Sequence, residues 1–159
     1  MNITIITVGK VKEKFYRDAL EEYQKRLTRY CKMTIIEVAD EKTLDHCSDR
    51  EVDLILEKEC QRILKHIKDD DTVITLEIEG RQLDSVAFAE KIETFGITGK
   101  SSIVFVIGGS LGLHETVKKR SNFALSFSEM TFPHQLMRVI LAEQIYRGFR
   151  IINGEPYHK

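Results

Sequence analysis

The chain has 159 residues, 42% of them hydrophobic and 31% charged, with a formal net charge of -1, which suffices for one substantial core and not for two. Only 2 prolines and 9 glycines occur, excluding a linker-rich or disordered chain, and the near-zero charge excludes a uniformly basic nucleic-acid binder. No apolar run approaches the roughly 20 residues of a membrane helix, and no basic segment precedes the apolar start MNITIITVGK, so the expected location is cytoplasmic.

Cys31, Cys47 and Cys60 are far apart and form no C-x-x-C pair. They predict neither a disulfide framework nor a metal site, and no metal is expected. Charge is uneven along the chain: residues 1–36 and 114–159 are net positive, whereas 37–93 are strongly negative. An anionic partner would therefore meet the two ends of the chain.

In chain order, the β-branched run Ile3 to Val8, closed by Gly9, predicts a buried strand. After the basic loop KVKEK, Tyr16, Ala19, Leu20, Tyr23, Leu27 and Tyr30 fall on one helix face. Met33 to Val38 is a second strand, and the polar, aperiodic segment Ala39 to Arg50 reads as a loop. Val52, Ile55, Leu56, Cys60, Ile63, Leu64 and Ile67 mark a second amphipathic helix, stopped by Asp69 to Asp71. Thr72 to Ile78 is the third strand, and Gly80 is expected to turn the chain. Asp84 or Ser85 can cap a helix with the face Val86, Ala89, Ile92 and Phe95, closed by Gly96 and Gly99.

Ser102 to Ile107 is the most continuously apolar strand and is expected at the centre of the sheet. A glycine turn follows, then a short basic helix from His114 to Arg120 and a last strand from Phe123 to Phe127. Pro133 suits the first position of a final helix. That helix carries Leu136, Met137, Val139, Ile140, Leu141, Ile145, Tyr146 and Phe149, a stripe wide enough to face both the sheet and a second copy of the chain. The alternation predicts one α/β domain over residues 1–159, with a mainly parallel five- or six-stranded sheet and helices on both faces.

Ligands of such sheets bind beyond the carboxyl ends of the strands, which singles out the loops after Leu76, Ile107 and Phe127. Gly108, Gly109 and Gly112 do not match the dinucleotide fingerprint or a P-loop. Gly108-Gly109-Ser110-Leu111-Gly112 does match G-x-S-x-G. A serine hydrolase would use Ser110, with His134 or His158 as base, but no Asp follows Asp84, and Glu129 and Glu155 lie close in sequence to those histidines. A turn that merely connects strand to helix is the plainer alternative.

The strand with IGGSLGL, the segment LSFSEMTFPHQLMRVILAEQIYRGF and the ending NGEPYHK together resemble the RlmH-type family of methyltransferases in the SPOUT superfamily, over the whole chain. The resemblance implies a C-terminal trefoil knot, a rare exception to unknotted topology. It also implies S-adenosylmethionine-dependent methylation of the N3 ring nitrogen of a pseudouridine in large-subunit (23S) ribosomal RNA, by a homodimer acting on the ribosome. Cofactor contacts fall by this resemblance on Leu76, Gly108, Phe127, Ser128, Glu129, Met130, Thr131 and Phe132, and substrate-side groups on Arg147, Tyr157 and His158. Tyr157 can stack on a base, His158 can titrate near neutrality, and Arg147 can hold a phosphate or polarise a carbonyl. Lys118, Lys119, Arg120, Arg138 and Arg150 are candidates for gripping RNA across a dimer. A non-catalytic RNA-binding or ribosome-associated protein of the same fold is the alternative of another class.

Overall fold

The computed structural model describes residues 1–98 and 102–159. Its elements are β1 (Asn2–Val8), α1 (Lys14–Leu27), β2 (Lys32–Val38), α2 (Asp49–Leu64), β3 (Thr72–Gln82), α3 (Ser85–Ile97), β4 (Ser102–Ile107), α4 (Glu115–Arg120), β5 (Phe123–Ser126) and α5 (His134–Ile152). The strands form one five-stranded sheet, all pairings parallel, in the order β2-β1-β4-β3-β5. The apolar strand β4 lies at its centre, as its composition predicts.

A parallel sheet must be covered on both faces. Side chains alternate across the pleat, so Ile103, Phe105 and Ile107 of β4 point to one face, and Val104 and Val106 to the other. The first face packs Leu27 of α1, Phe88 and Ile92 of α3, and Leu141, Ile145 and Phe149 of α5. The second packs Cys60 and Ile63 of α2 and Val117 of α4. Helix α5 runs against both α1 and α3. Gly148 faces α3, where a Cβ would make ordinary contacts with Ile92 Cδ1 at 3.5 Å and Ala89 Cα at 3.7 Å.

Local signals explain most boundaries. Asp84 caps α3, accepting from the Ala87 amide at 2.8 Å. Helix α2 starts inside the stretch read as a loop: Ser48 and Glu51 form a reciprocal capping box, Ser48 N donating to Glu51 at 2.7 Å and Glu51 N to Ser48 Oγ at 3.2 Å. Pro133 is the residue before α5, not its first helical position. Helix α3 runs through Gly96 to Ile97, so Gly96 does not close it, and Gly99 lies outside the described residues.

Gly80 does not turn the chain. Strand β3 continues through it to Gln82, pairing with β5 on both sides of an irregularity between Leu76 and Arg81. The glycine is required for a different reason: a Cβ there would stand 2.8 Å from the Ala124 carbonyl carbon and oxygen, so only a bare backbone fits this close to β5.

Candidate active site

The irregular stretch of β3 from Leu76 to Glu79, which stays within the strand where a loop after Leu76 was expected, and the loops after β4 and β5 border a cavity of about 470 Å3. Leu76, Ile107, Leu125, Phe127, Met130 and Phe132 give it apolar walls, and Glu77, Glu79 and Lys118 contribute polar groups. The glycine turn supplies a backbone edge. Gly112 takes the left-handed region at φ 87, where a side chain is strained. Gly108 is needed for close approach, because a Cβ would come within 2.5 Å of the Gly112 carbonyl oxygen. Beyond β5, the Ser126 hydroxyl donates to the Ile78 carbonyl at 2.8 Å, and the Met130 amide donates to Ser128 Oγ at 3.0 Å. These bonds give shape to a loop with no regular structure.

Of the eight residues assigned to the cofactor by resemblance, Leu76, Gly108, Phe127, Ser128, Met130, Thr131 and Phe132 line this cavity. Glu129 is exposed and is not on its wall. His134 lines it too. Burial, and then the neighbouring Arg138 guanidinium, hold its imidazole below the ordinary value of 6.5, with Asp40 opposing. The imidazole is thus neutral at pH 7.

The hydrolase reading finds no geometric support. Among the described residues no non-glycine residue has positive φ, so Ser110 lacks the strained backbone of a nucleophile elbow. No hydrogen bond joins it to a histidine among those residues.

The tail forms a second cluster. Helix α5 ends in Asn153 and the left-handed Gly154 (φ 64), with Gly154 N donating to Ile151 O at 3.0 Å and Glu155 N to Arg150 O at 2.8 Å. This paired pattern is a Schellman motif, and it folds the last residues back along the helix. Glu155 is then held by Arg150 at 2.7 Å and Arg29 at 3.2 Å, and Arg150 also donates to the Pro156 carbonyl at 2.9 Å.

Folded back, Tyr157 packs edge-on against Tyr146 at 5.0 Å between centroids, and the Arg147 guanidinium lies 4.7 Å from the Tyr157 ring centre. The Tyr157 hydroxyl donates to Glu143 Oε1 at 3.0 Å. Burial, followed by this bond, pushes the phenol above its ordinary value, so it remains protonated at neutral pH. Arg147 donates to the same carboxylate and stands 3.2 Å from His158 Nδ1. Glu143 is the member that sequence reasoning missed, although its spacing of four from Arg147 is the signal of a helical ion pair.

His158 also lines a second cavity, of about 450 Å3, that shares Leu125 and Phe127 with the first. None of Arg147, Tyr157 and His158 lines the larger cavity of its own chain.

The proposed RNA-gripping set changes. Arg138 is fully buried, donating to the Val8 carbonyl at 3.1 Å, the Gly9 carbonyl at 2.9 Å and Glu37 at 2.9 Å, so it pins α5 to the ends of β1 and β2 and cannot reach a ligand outside. Arg120 donates to the Lys68 and Asp71 carbonyls at 2.7 and 3.0 Å, and Arg150 is committed to the tail. Lys118 and Lys119 are less committed; Lys118 faces Glu77 and Glu115 at 3.8 Å.

Among the described residues no group of three or more His, Cys, Asp or Glu side chains could hold a metal, and no helix is long and apolar enough to cross a membrane.

Known proteins match this chain in sequence along its whole length. The family described as "Predicted SPOUT methyltransferase" matches residues 1–158. A protein of Methanococcus maripaludis (strain C5) named "Putative ribosomal RNA large subunit methyltransferase H" is 65% identical over 159 residues, covering 100% of both chains. Proteins named "Ribosomal RNA large subunit methyltransferase H" from Clostridium beijerinckii and Clostridium botulinum (strain Kyoto) are 61% and 60% identical over the same full length. A whole-chain family match and this level of identity, on a parallel α/β sheet with a cavity at its carboxyl edge, establish that the chain belongs to the SPOUT methyltransferase family.

Proposed function

We propose that this protein transfers a methyl group from S-adenosylmethionine to the N3 nitrogen of a pseudouridine in large-subunit ribosomal RNA, acting as a homodimer whose cofactor pocket lies in a C-terminal trefoil knot. The observation that carries the reading is the convergence of Leu76, Gly108, Phe127, Ser128, Met130, Thr131 and Phe132 on one cavity from segments far apart in sequence. The relatives' names support the RNA substrate.

The cavity fits such a cofactor. Its volume of about 470 Å3 lies within the roughly 300–1,000 Å3 usual for small-molecule sites. Apolar walls at Leu76, Met130 and Phe132 suit an adenine ring, and the bare backbone at Gly108 allows close approach. The neutral His134 adds no positive charge beside a cation. When bound, S-adenosylmethionine would supply an electrophilic methyl group on a sulfonium, whose sulfur would keep the electron pair of the S–C bond as the ring nitrogen takes the methyl.

The chain's own task is alignment, and stabilisation of a ring nitrogen that has lost its proton. Tyr157 remains a phenol and serves as a stacking surface and donor rather than a base. Arg147 supplies positive charge beside the acceptor. Since these groups lie off the larger cavity of their own chain, the complete site pairs the cofactor loops of one copy with the tail of the other. The side of α5 carrying Leu136 and Ile140 lies away from buried Leu141 and Ile145 and is the contact surface this arrangement uses.

Calorimetry with S-adenosylmethionine separates this reading from a non-catalytic RNA-binding protein, which would give no binding heat. Incorporation of labelled methyl into assembled ribosomes, isolated large subunits and free RNA tests the substrate; a folded, cofactor-binding protein that labels none of them would sink the assignment.

A further inference from the structure

The folded-back tail converges on one carboxylate. Glu143 Oε1 accepts from Arg147 Nη2 at 2.6 Å, from Arg147 Nε at 3.1 Å and from the Tyr157 hydroxyl at 3.0 Å, while Gln144 Nε2 donates to Oε2 at 2.8 Å. The Glu143 and Arg147 side chains are only 19% and 25% exposed, so this pair is shielded, unlike a solvated surface bridge.

The direction of the next bond follows from chemistry. A guanidinium has donors and no acceptor. With Nε and Nη2 bonded to Glu143, Nη1 is the nitrogen that reaches His158 Nδ1, at 3.2 Å. His158 Nδ1 must therefore accept, and in the neutral ring its proton lies on Nε2. The imidazole then offers an N–H, not a lone pair, to whatever approaches its free edge.

We infer that Glu143 is a positioning residue for methyl transfer: it sets Arg147 and Tyr157 and, through Arg147, fixes His158 as the Nε2–H tautomer, a hydrogen-bond donor. This rests on the proposed function. Loss of the N3 proton of pseudouridine to water leaves negative charge shared with the two flanking carbonyl oxygens, and a fixed donor at one of them stabilises that anion. His158 meets the target as this donor and does not take the proton itself.

The test combines kinetics with nitrogen NMR on the full chain carrying 15N-labelled histidine. In the unmodified protein the His158 pattern is that of Nε2–H with Nδ1 unprotonated. Glu143→Ala and the isosteric Glu143→Gln lower kcat about 10- to 100-fold, leave the KM for S-adenosylmethionine unchanged, and admit the Nδ1–H tautomer at His158; Glu143→Gln gives this readout even where Glu143→Ala fails to fold. An Nδ1–H ring in the unmodified protein, or Glu143→Gln with kcat within about twofold of it, overturns the inference. Unmodified protein that transfers no methyl at all contradicts the proposed function instead, while the tautomer measurement still decides the geometry.

Discussion

At the scale of single residues, the glycine turn separates space from chemistry. Gly108→Ala places a Cβ against the Gly112 carbonyl, where the backbone cannot yield cheaply. We expect S-adenosylmethionine affinity to fall by about tenfold or more, equivalent to about 1.4 kcal/mol, whereas Ser110→Ala retains substantial methyl transfer; calorimetry and a methyl-incorporation assay check the pair. His134 gives a pH dependence with a definite sign. Its folded-state value lies below 6.5, so as pH falls through 6.5 the unfolded chain takes up the proton first and stability declines. Glu59 works in the opposite direction: burial raises its carboxyl above 4.5, so the folded chain protonates first and stability from this group is lost as pH rises. Melting temperatures between pH 4 and 7.5 should therefore lose the first slope in His134→Gln and the second in Glu59→Gln. Arg138 is a structural pin, and Arg138→Met should cost about 3 kcal/mol by unpairing two carbonyls and Glu37, lowering the melting temperature by about 10 °C.

At the scale of elements, caps and close approaches decide where the chain turns. Ser48→Ala removes one half of the α2 capping box and should cost about 1 kcal/mol in denaturant unfolding without altering methyl transfer, because α2 lies on the sheet face opposite α5. The strands and helix faces were legible because apolar alternation and 3.6-residue periodicity are local: β4 and the core side of α5 follow directly from them. The α2 boundary was written in Ser48 and Glu51 but hidden within a polar stretch. Gly80 misled because a glycine required by a neighbouring backbone looks, in sequence, like one required by a turn. Arg138 misled for a related reason. Only the fold brings Glu37 and the Val8 and Gly9 carbonyls around it, so its charge reads as surface until those long-range partners are known. The order of the tail was partly legible, since Asn153-Gly154 is a helix-stop signal, but its docking on Glu143 and Tyr146 needed the three-dimensional path.

At the scale of the whole molecule, the proposed cofactor cavity and the tail cluster are distinct features of one chain, and the proposed dimer joins them. Mixing a Gly108 variant with a variant lacking residues 157–159 should restore activity in heterodimers, because each would supply the half that the other has lost; absence of any rescue would count against a shared site. In the proposed dimer, RNA would be met by local positive charge, with Lys118 and Lys119 present twice, and not by net charge. The most direct measurement of the central claim is transfer of labelled methyl from S-adenosylmethionine to ribosomes, large subunits and free RNA, followed by mapping of the modified nucleotide. The account predicts label on the N3 nitrogen of a pseudouridine in large-subunit RNA; label on another base or atom, or none in any of the three substrates with a folded and cofactor-binding protein, would contradict it.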